Sequence, residues 1–383
     1  MKRLLLITGC CLLVLAFAAC VNDDTDFSAI INQEPTPETP EEVNDTISIV
    51  YSGNTATVTN DRRNCVTATG AHVIVSDALS TDDLVLVLSG TTDNGSLLVF
   101  RSLKYEIVLN GLQMTNPTGA ALNNQCHKML TITCIDGTEN NLTDGTAYTL
   151  QEYDEKGTLF SEGQITFRGT GTLNIFGNYK NGIATDDYLT IDADGPTIGI
   201  SVAENGTNGL KANDGVFIHG GVLTIDVTAN GARGIKNDGR TEINGGITTI
   251  TTSGDCNIET VDGVTDTTSC ACIKSDSLFT MTAGTLIMSS SGDGGKGISC
   301  GENIELSGGT LVAKTTGSNN VAKPKAVKSE TGIILSGGSF TATVRKSWAC
   351  DNGTDSEEPE DHITIVGTPQ TIKIAKKSVV VEF

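Results

Sequence analysis

Rings are scarce in this chain: phenylalanine, tyrosine and tryptophan together make up 4% of its 383 residues, with one tryptophan. A core built around large aromatic side chains is excluded, so apolar packing has to come from Ile, Leu, Val and Ala. Positive charge is scarce as well. Lys and Arg number 25 against 46 Asp and Glu, a formal net charge of −21, which excludes nucleic acid as a partner. A polyanion can approach such a surface only at a locally basic patch or through bound cations. The four histidines, His72, His127, His219 and His362, are scattered. Cys270-Ala271-Cys272 has no zinc spacing and no matching Cys/His pair after it. No serine is expected on a strand-to-helix nucleophile elbow. What the chain does have is abundant Gly, Thr, Asn and Asp among recurring Ile, Leu and Val, which is neither a helical nor a disordered composition.

Residues 1–19 are not expected to belong to the fold. Lys2 and Arg3 precede an apolar run over 4–17 that has the length of a secretory leader and is too short to span a bilayer. The run ends Phe17-Ala18-Ala19-Cys20, which resembles the lipobox of bacterial lipoproteins, so Cys20 is the expected lipidation site and the membrane anchor. Asp23-Asp24-Thr25-Asp26 follows closely. An acidic stretch there resembles the surface-export signal of Bacteroidetes lipoproteins and implies the outward face of the outer membrane. Loss of Lys2 and Arg3 with the leader makes the mature chain more acidic, near −23. Residues 20–45 include Glu34-Pro35-Thr36-Pro37-Glu38-Thr39-Pro40-Glu41-Glu42, a Pro-rich acidic spacer that cannot bury a core. Eight cysteines lie beyond the leader, and their spacing fixes no disulfide connectivity.

From residue 46 onward short β-rich runs recur, and they repeat. Gly209-Leu210-Lys211-Ala212-Asn213-Asp214 leads to Gly220-Gly221; Gly234-Ile235-Lys236-Asn237-Asp238 leads to Gly245-Gly246. Cys272-Ile273-Lys274-Ser275-Asp276 leads to Ala283-Gly284, Gly297-Ile298-Ser299 to Gly308-Gly309, and Ala326-Val327-Lys328-Ser329 to Gly337-Gly338. The glycine pairs step by 25, 38, 25 and 29 residues, a basic coil near 25 residues with two insertions. At about 3.3 Å per residue such a coil traces a closed path of roughly 80 Å, enough for three short strands. The fold class is therefore all-β, a right-handed parallel β-helix over 46–345 with a C-terminal cap over 346–383. Roughly ten coils between 82 and 345 would make a rod on the order of 50 Å long, lined by aliphatic ladders, with Gly-Gly at the corners. Insertions at 137–163 and 256–270 are expected to project as loops, and the molecule is expected to be a monomer.

Two outward ladders share one edge: Lys211, Lys236, Lys274 and Lys328, and two residues later Asn213, Asp238, Asp276 and Glu330. One reading is mutual neutralisation between stacked coils. The other is a Ca²⁺ corner built from Asp186, Asp187, Asp214, Asp238 and Asp276, since Ca²⁺ wants six to eight oxygens. The 137–163 insertion carries Asp144, Glu152, Asp154, Glu155 and Glu162. Tyr148, Tyr153, Phe160, Tyr179 and Tyr188 gather in and just after it, and rings are the usual platforms for sugars. Tyr148, Tyr153, Tyr179, Tyr188, Lys211, Lys236 and Lys274 are accordingly the candidate glycan contacts. A lyase on this scaffold would need a positioned base, and Arg168, Arg233 and Arg240 lie in no recognisable catalytic motif. No catalytic residue is assigned.

Gly137-Thr138-Glu139-Asn140-Asn141-Leu142-Thr143-Asp144-Gly145, Gly169-Thr170-Gly171-Thr172-Leu173-Asn174-Ile175 and Gly177-Asn178-Tyr179, with the coils that follow, carry a resemblance. Over about 82–345 the chain resembles the carbohydrate-binding domain family typified by a clostridial cellulose- and polygalacturonate-binding protein. The resemblance implies a pectate-lyase-like fold, calcium as cofactor, and binding of acidic plant polysaccharide without cleavage. Asn140, Asp144, Asp186 and Asp187 are the best-matched polar positions. Ala184 and Ser299 in the Lys ladder, the Cys-flanked insertion and the C-terminal cap depart from the pattern. A Ca²⁺-dependent lyase and a structural or adhesive surface protein remain the alternatives.

Overall fold

Every coil of the chain turns through three short strands, and each strand pairs in parallel with the equivalent strand of the coils before and after it. The computed structural model describes residues 46–383 apart from 78–82, 150–152 and 262; the leader, Cys20 and the acidic spacer lie outside the described residues. The first face is a 12-stranded sheet. In it Leu210 pairs with Ile235, Ile235 with Ile273, Ile273 with Ile298 and Ile298 with Val327, which reproduces the glycine steps read from the sequence. The second face runs through Ile165–Arg168, Tyr188–Ile191 and Gly215–Ile218, and the third through Thr172–Gly177, Thr197–Val202 and Val222–Val227. About 11 turns form a right-handed parallel β-helix. Near the start of the stack, Ala71–Asp77 pairs in parallel with Gly95–Arg101. The stack ends later than expected, because Val327 pairs with Cys350.

The corners explain the Gly-Gly pairs. The second glycine of each pair has a positive φ, +70° at Gly221 and Gly246 and +78° at Gly338, a region that costs any residue with a Cβ. The first glycine sits under the preceding coil: a Cβ on Gly220 would lie 2.1 Å from the Ala193 carbonyl oxygen. The chain reversal thus demands the second glycine at every corner, and tight stacking favours glycine at the first, a place Ala283 takes in one coil.

Inside the rod, stacked aliphatic side chains such as Leu97, Leu122, Leu159, Ile183, Leu210, Ile235, Ile273 and Ile298 are fully buried. Each contributes about 1.5–3 kcal/mol by leaving water. One inner ladder is polar, contrary to expectation. Asn124, Ser161, Thr185, Asn237, Ser275 and Ser329 are buried and satisfy corner backbone or one another. Asn124 Nδ2 donates to Ser161 Oγ at 2.8 Å, Ser161 Oγ to Gly163 O at 2.6 Å, and Ser275 Oγ to Gly239 O at 2.8 Å. A turn that leaves the sheet exposes carbonyls to the interior, and short polar side chains satisfy them there.

Both ends are closed by antiparallel hairpins, Thr46–Ser52 with Thr55–Thr59 and Thr371–Ala375 with Ser378–Glu382, the last laid against Ser339–Val344. They cover edges that would otherwise recruit further strands. The insertions differ from the loops expected. Of 137–163, Glu139–Thr143 and Gly157–Ser161 are ordinary coil strands, and among the described residues 144–149 and 153–156 lie outside them. The 256–270 segment holds a two-stranded antiparallel hairpin, Asn257–Val261 with Val264–Thr268. The eight cysteines beyond residue 45 are unpaired.

Candidate functional site

The outward row of the first sheet changes character along the rod. Ile74, Leu98, Asn123, Phe160 and Ala184 occupy, coil by coil, the register position that Lys211, Lys236 and Lys274 take later. The described residues of the 144–156 insertion, 144–149 and 153–156, arch over the early, uncharged part. Gly145 brings it close, since a Cβ there would lie 2.1 Å from Pro117 O. Asp144, 3% exposed, fastens its base: its carboxylate accepts from Tyr148 Oη at 2.7 Å and from the Asn178 N–H at 2.6 Å. Burial pushes the Asp144 carboxyl up, and these donors only partly offset it. Further along, Asn123 Nδ2 and Gln125 Nε2 both donate to Asp154 O, at 3.1 and 2.9 Å, and Lys180 Nζ donates to Glu155 O at 2.6 Å.

The arch and the sheet enclose a groove of about 380 Å³, walled by Ile74, Leu98, Asn116, Asn123, Tyr153 and Glu155. Tyr153 is 40% exposed and stands edge-on to Phe100, ring centroids 4.8 Å apart. Glu155 Oε2 accepts from Ala120 N at 3.4 Å, and burial raises its carboxyl above the usual range. Ser96 Oγ and His72 Nδ1 lie 2.9 Å apart at the far wall. Apolar surface, one presented ring and a few convergent amides and hydroxyls are what a sugar's two faces require.

On the opposite flank of the same arch three carboxylates converge. Oxygens of Asp154, Glu162 and Asp186 lie within 4.8 Å of one another. Lys156 Nζ reaches Asp154 at 3.1 Å and also pairs with Asp186. Burial alone would lower the Lys156 ammonium, but Asp186 and Asp154 outweigh it and raise it, so the amine is held charged. Burial, then the neighbouring Asp186 charge, raises Glu162. Asn213 Nδ2 donates to Asp186 Oδ1 at 3.4 Å, while Asn213 Oδ1 is buried with no hydrogen-bond partner.

A family model described as carbohydrate-binding domain-containing protein matches residues 69–351. The chain belongs to this carbohydrate-binding domain family. A carbohydrate-binding domain-containing protein of Acetivibrio thermocellus is 30% identical over 144 residues, 36% of this chain and 50% of that relative. The chain thus spans about half the length of the curated relative it matches. Among solved structures, the polysaccharide lyase-like protein from C. thermocellum, as a gadolinium derivative, is similar with a TM-score of 0.55. That similarity holds at 25% identity over 68% of this chain and 96% of that one.

Within this member of the carbohydrate-binding domain family the residues singled out from sequence fall into separate places. Of the six aspartates, Asp186 joins the acidic cluster. Asp144 is spent on the arch. Asp187 Oδ1 accepts the N–H of Tyr188 at 2.8 Å, and Asp214 is exposed one coil on. Asp238 and Asp276 pair with Lys236 and Lys274 at 3.0 and 2.6 Å, as Glu330 does with Lys328 at 2.5 Å. The ion pairs thus form within a coil, between residues two apart; although burial would raise the Asp276 carboxyl, Lys274 and Lys236 of the neighbouring coil together hold it below its usual range. Asn140 is fully buried: its Oδ1 accepts from Leu112 N at 2.9 Å and its Nδ2 donates to Thr172 O at 3.0 Å, so it ties three coils together. The tyrosines do not form one platform. Tyr148 is buried against Tyr179 at 5.2 Å under Lys180, and Tyr188 packs on Phe217 of the second face at 5.8 Å. Arg168 pairs with Asp192 at 2.5 Å and Arg240 with Glu242 at 3.5 Å, partners outside the acidic cluster.

Gly297-Ile298-Ser299-Cys300-Gly301 spells the letters of a nucleophile elbow. Ser299 nonetheless lies inside the strand Lys296–Cys300, paired on both sides. No strand-to-helix turn is there to expose it. Lys156, Ile74, Leu98 and Asn123 were not foreseen. For Ile74, Leu98 and Asn123 a signal is present, because counting the Lys ladder backwards coil by coil places them outward, where an apolar residue needs a cover.

Proposed function

We propose that this protein is a non-catalytic, cell-surface glycan-binding lipoprotein that holds plant-type or acidic polysaccharide in the groove beneath the 144–156 arch, with Ca²⁺ at Asp154, Glu162 and Asp186. The single observation that carries this reading is that one insertion lends Tyr153 and Glu155 to a ring-bearing groove and Asp154 to an all-oxygen cluster completed by Glu162 and Asp186. The cluster suits a hard cation by donor type, and the orphaned Asn213 Oδ1 beside it is a further oxygen. Lys156 occupies the same ground, so an ion has to displace its ammonium. The gadolinium derivative of the structural neighbour is in keeping with this, because lanthanide ions also take oxygen donors. For a chain of this charge, a divalent ion between protein and uronate carboxylates removes the repulsion that binding otherwise meets. The lipid on Cys20 and the acidic spacer would hold the rod clear of the outer membrane, with the chain acting as a monomer.

The alternative is a Ca²⁺-dependent lyase, favoured by the neighbour's description as polysaccharide lyase-like. Against it, the amine nearest the cluster, Lys156, is held protonated and is a poor base. Calorimetric titration of oligogalacturonides and cello-oligosaccharides, with calcium and with a chelator, tests the proposal. Saturable binding with no ultraviolet-absorbing unsaturated product supports it. Turnover to such a product establishes the lyase, and no binding to either series refutes the groove.

A further inference from the structure

Where the later coils enter the first sheet, a second row of cations precedes the Lys ladder. In register on successive coils it runs Arg233, Ala271, Lys296 and Lys325. Further along the last of these strands Lys328 pairs in register with Ser299, which places it diagonally across from Lys296. Two of these cations have their own carboxylates: Lys325, 8% exposed, pairs with Asp351 at 2.5 Å, and Lys328 with Glu330 at 2.5 Å. Lys296 is half-buried, and among the described residues no carboxylate, carbonyl or hydroxyl accepts from its amine. In a chain of net charge −21 it is a lysine set among charges of its own sign. Burial first, then the charges of Lys328, Arg233 and Lys325, bring its ammonium down to about 8, and only Cys256 opposes them. At pH 7 about a tenth of the chains therefore carry a free amine at Lys296, far more than at an ordinary lysine.

We propose that Lys296 is a carboxylation site, where the free amine adds reversibly to carbon dioxide and the lysine carbamate so formed is held among Lys325, Lys328 and Arg233. The nitrogen lone pair forms the new N–C bond, the electron pair of one C=O bond moves onto its oxygen, and the nitrogen releases one proton to water. No oxidant, reductant or further reactant enters. Charge favours this product here. The neighbours that penalise an ammonium stabilise the anion that replaces it, so one cluster supplies both the nucleophile and the field that holds its adduct. Charge also selects the reactant: a chain this acidic repels small anions, whereas carbon dioxide is neutral and small enough to reach a half-buried amine. The inference stands apart from the glycan-binding reading, since Lys296 lies several coils beyond the 144–156 arch.

The test is carbon-13 NMR of the full-length chain in labelled bicarbonate, with Lys296→Arg and Lys328→Met as variants, joined to trapping of carbamates by a trialkyloxonium reagent and peptide mass mapping. The expected result is a carbamate resonance in the wild type at pH 8 that disappears at pH 6, is absent from Lys296→Arg and falls severalfold in Lys328→Met, with the trapped ester on the peptide that contains Lys296. Circular dichroism checks the fold of both variants, and trapping on the wild type reads the site even where a variant fails to fold. No trapped ester at Lys296 in saturating bicarbonate at pH 8 overturns the inference, as does a resonance that persists unchanged in Lys296→Arg or grows in Lys328→Met. Equal trapping at the exposed Lys314 and Lys377 also overturns it, because the cluster would then confer nothing.

Discussion

Two insertions on the same rod end differently. The one at 144–156 is fastened at its base by Asp144 and leaves Tyr153 and Glu155 arched over bare sheet. The segment after Thr310–Thr315 is sealed down instead. Asp293, 7% exposed, accepts from Ser318 Oγ at 2.6 Å and from the N–H groups of Asn320 at 2.8 Å and of Val321 and Ala322 at 3.2 Å. The sheet beneath follows the same division: uncharged in the early coils, with Ile74 40% exposed, and in the later coils Lys236, Lys274 and Lys328 each paired with the carboxylate two residues on. A buried carboxylate closes a loop either way. Where the remaining side chains are charged they neutralise one another, and where they are apolar they leave a place for a ligand.

The largest way to break this contrast is to lift the arch. In Gly145→Val the new side chain collides with Pro117 O, and soluble glycan binding should be abolished while the β-sheet circular dichroism signal is retained. Tyr153→Ala leaves the arch in place and removes one ring; the expected loss is about tenfold in affinity, ~1.4 kcal/mol by calorimetry. The sealed insertion should respond in stability, not binding. Burial would raise the Asp293 carboxyl, but the Ser318 hydroxyl and the three N–H groups outweigh it and hold it at about 2. A carboxyl lowered in the folded state stabilises above its unfolded value and loses that contribution as pH falls through the folded one. Hydrogen-exchange protection factors at 318–322 should therefore fall as pH drops from about 4 to 2, and Asp293→Asn should lower them at neutral pH. Glu162 shifts the other way. Its raised carboxyl takes up a proton above the ordinary carboxylate range, so calcium affinity at the cluster should fall several-fold as pH drops through that range, and Glu162→Gln should remove this pH dependence. Smallest of all, Lys236→Ala and Lys274→Ala should change glycan affinity by less than about twofold. A tenfold loss there would move the site to the later coils and undo the comparison.

The rod was legible from Gly-Gly spacing because the same backbone geometry has to recur at each corner, and the family resemblance carried by 137–183 was correct. What escaped was whatever depends on which coil lies above which. Lys236 and Asp238 were visible as a pair, but a period of two says only that they share a face, not that they bond to each other rather than to the next coil. Asn140 and Asp144 stood out as polar residues in a matching motif. Burial reveals them as ties for backbone and loop, information a linear spacing does not hold. Lys156 drew no notice because its importance comes from Asp186, 30 residues away and one coil on. The groove itself is the meeting of an insertion with rows laid down 50 to 80 residues earlier.

The most direct test of the central claim is a crystal structure of the full chain with calcium and an oligogalacturonide. The account predicts a sugar ring against Tyr153, between the arch and Leu98, and an ion bound by Asp154, Glu162 and Asp186 with Lys156 swung aside. A saccharide seated on the Lys236 and Lys274 row, with the groove empty and Lys156 still paired to Asp186, would contradict it.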